Sequence, residues 1–263
     1  MLADRWSAAS IGLLQKGGTD DKERAAGTLR SLAATNARYR DAVMGAGVLP
    51  VFVEMMQSGT PRGQENAAGL IQGLAFDAKN QDLLVDAGVV PQLLKIICSD
   101  NAGAQVQAAG ALMHLAASSD VHRKGVVAAG AIPALAKLLQ TGALEAREQA
   151  ASAVRYIVIG NPEHEKALVA SEALPPLIEL LRSGTHLGQE HAAGTIKNLV
   201  LGNDAETERS LMSAGAAPAL IELLRSGVPE VQRQVTGALL RLVDRMVELL
   251  ECDSQEGQEQ GAF

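Results

Sequence analysis

The residues best equipped for chemistry in this chain do not form a recognisable catalytic set. His186 and His191 stand five apart, off one another's helical face, and read as one loop residue and one helix residue rather than a metal pair. Glu163, His164 and Glu165 bring two carboxyls and an imidazole together, the raw material of acid–base catalysis, but their setting reads as a charged, solvated turn. His122 and His164 are expected to be exposed. Acids are plentiful, yet none falls in a run of apolar residues that would raise its pKa. The spacings Gly-x-x-x-x-Gly-Lys-Ser/Thr, His-Glu-x-x-His and Gly-x-Ser-x-Gly do not occur. Cys98 and Cys252 have no metal-site spacing and are too few for a disulfide scaffold; Cys98, following Ile96 and Ile97, reads as a reduced core thiol. No catalytic residue, metal or cofactor is expected, so the chain is not read as an enzyme.

Repetition carries the information instead. A small-residue cluster returns six times at intervals of 41 to 43 residues: Ala25-Ala26-Gly27, Ala67-Ala68-Gly69, Ala108-Ala109-Gly110, Ala150-Ala151-Ser152, Ala192-Ala193-Gly194 and Val235-Thr236-Gly237. Pro50, Pro91, Pro133, Pro175 and Pro218 keep step with it. A period of this length means stacked helical units, each covering its neighbour's apolar face. Composition agrees, since 47% of the 263 residues are hydrophobic but only 2% are aromatic, which suits thin, close-packed helices.

The formal net charge of −7 argues against a nucleic-acid partner, whose phosphates need a concentrated basic surface. From Asp244 onward six acids face one arginine, a net of −5, which leaves about −2 for the rest. No apolar run approaches the length of a membrane span, and no leader pattern opens the chain. An intracellular protein, cytoplasmic or nuclear, without membrane insertion is expected.

Residues 161–202 display the unit. Asn161-Pro162 opens a short first helix, with proline in the first turn where no amide donor is missed. A second helix begins near Leu174-Pro175-Pro176 and stops at Ser183-Gly184. A third runs from about Leu187 to Leu201, and Gly202 terminates it through its tolerance of positive φ. Ala46-Gly47, Ala87-Gly88, Ala129-Gly130 and Ala214-Gly215 separate first from second helices elsewhere, each glycine followed three residues later by proline; Ser171-Glu172 is the exception. Full units are placed at 36–77, 78–118, 119–160, 161–202 and 203–245, after a partial repeat at 1–35 holding only a second and third helix. Trp6 is expected to cover one end of the stack. The stripe through Met246, Leu249 and Leu250 extends the last helix to 251, giving a single domain over 1–251 and a disordered acidic tail at 252–263.

The Gly-x-x-Pro link and the Ala-Ala-Gly-x-Leu core of the third helix resemble the armadillo repeat found in beta-catenin and importin alpha. The resemblance covers about residues 5–245 and implies an all-α fold, a right-handed armadillo-repeat superhelix. It also implies a concave groove, lined by third helices, that holds an extended peptide. At the family's asparagine position stand Ser31, Gly73, His114, Tyr156, Asn198 and Arg241, so only Asn198 keeps the pattern. Importin alpha has tryptophans where this chain has Gly27, Gly69, Gly110, Ser152, Gly194 and Gly237, so classical nuclear-localisation peptides are not the expected ligand.

Just before the asparagine positions lie Arg30, Gln72, Met113, Arg155, Lys197 and Leu240. The two rows together offer Arg30, Arg155, Lys197 and Arg241 and no acid, which favours an acidic or phosphorylated segment; Tyr156 and His114 add shaped contact area. One turn earlier, Gln107, Gln149, His191 and Gln234 make a polar shelf. The expected function is protein–protein interaction through this groove, the predicted peptide-binding residues being Arg30, Gln72, Gln107, Met113, His114, Gln149, Arg155, Tyr156, His191, Lys197, Asn198 and Arg241. The alternative is a scaffold or docking domain that engages a larger assembly through its ends or convex face. Oligomeric state is open on the sequence.

Overall fold

The computed structural model describes residues 2–202, 204–226 and 228–243. Every regular element among them is a helix. Helices α1 (Leu2–Lys16) and α2 (Thr19–Thr35) come first, then triplets: α3 (Ala37–Gly45), α4 (Leu49–Ser58), α5 (Pro61–Ala75); α6 (Ala78–Asp86), α7 (Val89–Ile97), α8 (Ala102–Ser118); α9 (Asp120–Ala128), α10 (Ala131–Thr141), α11 (Leu144–Ile157). Helices α12 (Pro162–Ala170), α13 (Leu174–Ser183) and α14 (His186–Leu201) form the next, followed by α15 (Ala205–Ser213), α16 (Ala216–Ser226) and α17, helical from 229 to 243. The expected extension through Met246, Leu249 and Leu250 and the acidic tail at 252–263 lie outside the described residues, as does the side chain of Trp6.

The chain divides after Ile157 into two compact units. In the first, the third helices α2, α5, α8 and α11 pack in that order, and the second helices α4, α7 and α10 pack behind them. In the second, α13 packs on α16 and α12 on α15. The alanine pairs explain the close approach of third helices. Ala67, Ala68, Ala108, Ala109, Ala150 and Ala151 are all fully buried in the first unit, and Ala192 and Ala193 in the second. The apolar residues one turn on, Leu29, Ile71, Leu112 and Ile196, are also fully buried, each removal from water contributing roughly 1.5–3 kcal/mol.

Local chemistry fixes where the helices start. Thr60, Asn101 and Thr185 accept the amides of Gly63, Ala104 and Gly188 at 3.1, 3.1 and 3.4 Å, capping third helices, while Asn161 caps α12 through the amides of Glu163 and His164. The link from first to second helix needs one left-handed residue. Gly47, Gly88, Gly130 and Gly215 supply it with φ of 64°, 77°, 98° and 85°, and Glu172 supplies it at 59°. An L side chain in that region costs about 1–2 kcal/mol. Glu172→Gly is therefore expected to stabilise the second unit by about 0.5–1 kcal/mol, after allowing for the greater freedom of glycine in the unfolded chain. Urea titration followed by circular dichroism measures this; an unchanged or lower midpoint would show that Glu172 carries no strain.

Two expectations need correction here. Gly202 has φ −65°, so positive φ is not its role; a carboxyl group lies where its side chain would be, as described below. Cys98 is a free but exposed thiol. Helix α7 ends at Ile97, and Ile96 and Ile97 take the core-facing directions, leaving Cys98 as the capping residue turned to solvent.

Candidate functional site

Each third helix buries one face and leaves a strip of its surface open. In the first unit Arg30, Gln72, Gln107, Met113, His114, Gln149, Arg155 and Tyr156 are all half-buried, whereas Leu29, Ile71, Leu112 and Val154 beside them are sealed. In the second unit His191, Lys197 and Asn198 are half-buried and Arg241 is exposed, flanked by the buried Ile196, Leu199 and Leu242. Every residue predicted for the site thus reaches the surface, and neighbouring helices within each unit present the same register.

Gly69, Gly110 and Gly237 each act as a shelf for a side chain of the preceding repeat. A methyl group added at Gly69 would come 2.5 Å from Nε of Arg30, and one at Gly110 would strike Nε2 of Gln72. In the second unit the Lys197 stem crosses Gly237 in the same manner, its Nζ donating to Oε1 of Gln234 at 3.4 Å. Long polar side chains therefore lie flat along the strip, each over the backbone of the next helix.

Charge is distributed less simply than the two rows suggest. Glu65, one turn before Gly69, pairs with Arg30 (Nη1 to Oε1, 3.0 Å), so Arg30 is not an unopposed cation. Arg40, on α3, donates to Asp77 through Nε and Nη2 (2.6 and 3.2 Å) and to the Ala33 carbonyl through Nη1 (2.8 Å). Its guanidinium sits 5.5 Å from the centre of the Phe76 ring, and that ring meets His114 edge-on, 5.5 Å between centres. Burial holds the His114 pKa below its ordinary value, so its imidazole is neutral at pH 7. Sequence reasoning missed Arg40, Glu65 and Phe76. Phe76 follows the last turn of α5, outside both rows; a lone phenylalanine breaking an alanine-rich pattern was the available signal.

The Glu163-His164-Glu165 turn is not solvated throughout. His164 and Glu165 are buried, at 8% and 1% exposure. The Glu165 carboxyl packs against Gly202 at the end of α14, with Oε2 lacking a hydrogen-bond partner. Burial, and then the negative charge of Asp204, push its pKa above the usual value. Asp204 moves the other way, because the amide and hydroxyl of Thr207 donate to it and Lys166 lies 3.8 Å off. At the position matching Glu165 in earlier repeats, Arg40, Gln81 and Arg123 donate to the carbonyls of Ala33, Ala75 and Ala116, at the ends of third helices. A carboxyl group can take up such a donor role only when protonated.

One further cluster has the composition of a nucleophile relay. His122 Nε2 lies 2.8 Å from Asp82 Oδ1, and Nδ1 lies 2.8 Å from Ser118 Oγ. The Ser118 hydroxyl, however, donates to the Leu115 carbonyl at 2.8 Å, and Asp82 is exposed, so the cluster ties α6, α8 and α9 together. Among the described residues no group of three His, Cys, Asp or Glu side chains could hold a metal ion, and no helix is long and apolar enough to cross a membrane. His186 is exposed in the first turn of α14 and His191 half-buried further along it.

Residues 36–76, 77–117, 120–159, 161–201 and 208–244 each match the Armadillo/beta-catenin-like repeat. Among solved structures, an engineered protein from the Northeast Structural Genomics Consortium is 29% identical, with a TM-score of 0.82 over 90% of this chain and 98% of that one. A designed armadillo repeat protein is 26% identical, with a TM-score of 0.81 over 89% and 98% of the two chains. Another, in complex with the peptide (KR)4, is 25% identical, with a TM-score of 0.78 over the same shares. No curated protein matches the chain. With five repeats matched in sequence and the helix triplets matched in space, the chain belongs to the armadillo/beta-catenin-like repeat family.

Proposed function

We propose that this armadillo solenoid is a protein-interaction module whose third-helix strip binds an extended acidic or phosphorylated segment. The supporting observation is the open strip itself: on each described third helix the residues before and at the family's asparagine position reach the surface, beside apolar neighbours that are sealed. A designed relative holds a peptide, (KR)4, which supports a peptide as the class of partner. The charge preference proposed here is the reverse, because Arg155, Lys197 and Arg241 lie on the strip and Arg30 is already balanced by Glu65. The half-buried Tyr156 and Asn198 contribute contact area and backbone hydrogen bonding.

Fluorescence anisotropy with a labelled decapeptide alternating glutamate and glycine tests this reading. The peptide is expected to bind more tightly than labelled (KR)4, with affinity falling as salt rises. Arg155→Ala combined with Tyr156→Ala is expected to weaken it at least about tenfold, or ~1.4 kcal/mol. Equal affinity in that folded variant, or tighter binding of (KR)4, would move the site or reverse its charge. Docking through an end has one observation in its favour: Ile221 and Leu224 are exposed on α16, whereas Ile178 and Leu181, their counterparts on α13, are buried.

A further inference from the structure

The geometry points to a pocket between α2, α5 and α8, its two arginines already ion-paired, that accepts an aromatic side chain of the bound segment. This deepens the peptide-binding reading, on which it rests, by assigning the chemistry of one position in the segment.

The pocket exists because side chains are missing from its floor. Gly73 on α5, Gly69 beneath the Arg30 stem, and Ala33 and Ala34 on α2 line a cavity of about 390 Å³. That volume lies within the usual range for small-molecule sites and is ample for one ring with its backbone. Gly73 occupies the family's asparagine position, and a Cβ there would meet nothing closer than Ala33 at 3.9 Å. The space is thus real, and a side chain at 73 would fill it without disturbing the helices.

The charges at the pocket are already matched. Arg30 and Arg40 both line the pocket, but Glu65 and Asp77 pair with them. An entering phosphate or carboxylate would have to compete with those acids for guanidinium groups already engaged, and an ammonium group would confront two guanidinium ions. Burial keeps His114 neutral. The remaining partners favour a ring: Phe76 is 65% exposed at the pocket, with His114 edge-on to it. Edge and offset ring contacts of this kind add to simple area burial. Gln72 and Gln107, also lining the cavity, offer amides to the backbone of a segment whose side chain points inward.

The probe for this pocket is N-acetyl-L-tryptophan amide, followed through the alanine methyl signals of Ala33 and Ala34 by NMR. Saturable shifts with a millimolar dissociation constant are expected. Phe76→Ala and, independently, Gly73→Asn should weaken binding at least tenfold while leaving the remaining methyl spectrum unchanged. N-acetyl-phosphotyrosine amide and N-acetyl-lysine amide should shift the same methyls by less than a tenth as much. Shifts that do not saturate, or that survive both variants, would overturn the proposal. Tighter binding of the phosphotyrosine compound would overturn it too, by making the pocket an anion site. The glutamate–glycine peptide has no aromatic residue, so its binding without probe binding removes only the pocket, and the converse removes only the acidic-segment reading.

Discussion

Truncating Phe52 to alanine is expected to cost about 3–5 kcal/mol, the range for deleting a buried aromatic ring. Among the described residues Phe52 is the largest of the fully buried side chains, with no exposed surface, in cores otherwise built from aliphatic side chains and methionine. It lies on α4, which packs against both α5 and α7. A hole there loosens one repeat internally and also its interface with the next. Because repeat arrays draw stability from neighbouring interfaces, the loss should first appear locally. Amide hydrogen exchange should accelerate across α4, α5 and α7, and the urea midpoint of the first unit should fall. A cost below about 1 kcal/mol would mean that the ring contributes little to the packing.

Gly202→Ala is expected to destabilise the second unit by about 1–3 kcal/mol, the usual range for forcing extra atoms into a filled site. The new methyl would collide with the carboxyl of Glu165, which has no exposed side to retreat to. Glu165→Ala in the same chain should recover at least about 1 kcal/mol of that loss, since the two positions share one space. Glu165→Gln separates charge from volume. The folded-state pKa of Glu165 is raised, so the native protein holds this proton more tightly than the unfolded chain does. The favourable contribution is complete below the ordinary value of 4.5 and disappears as pH rises through the folded value. At pH 7 the acid is therefore a burden, and glutamine should raise stability by about 1–3 kcal/mol, the cost of a buried, unsatisfied polar group. Below pH 4.5 that advantage should vanish. Urea midpoints across pH measure it; an equal gain at acid and neutral pH would assign the effect to packing instead.

Helix order and the Gly-x-x-Pro links were legible because each depends on residues close in sequence. A left-handed link needs glycine, and a second-helix start tolerates proline, so the pair marks a boundary whatever surrounds it. Glu172 shows the limit of that logic, as the backbone keeps its left-handed turn without the glycine. The burial of Glu165 was not legible. Its immediate neighbours are charged or polar, and what covers it is Gly202, at the far end of the same repeat. The pairing of Arg30 with Glu65 is likewise set by stacking, so a row of basic residues overstated the open charge. Phe76 and Arg40 meet only because the end of one helix abuts the start of another. Positions on the third-helix strip were found from the register, whereas the chemistry at its first pocket came from residues outside that register.

Since Arg30 lies on Gly69 and Gln72 on Gly110, these two positions of the strip are each built by two consecutive repeats. Transplanting one triplet into a foreign array would split both of the composite sites it shares with its former neighbours. Specificity in such a chain is inherited by adjacent pairs, and any recombination that reassorts single modules should scramble it at each new junction.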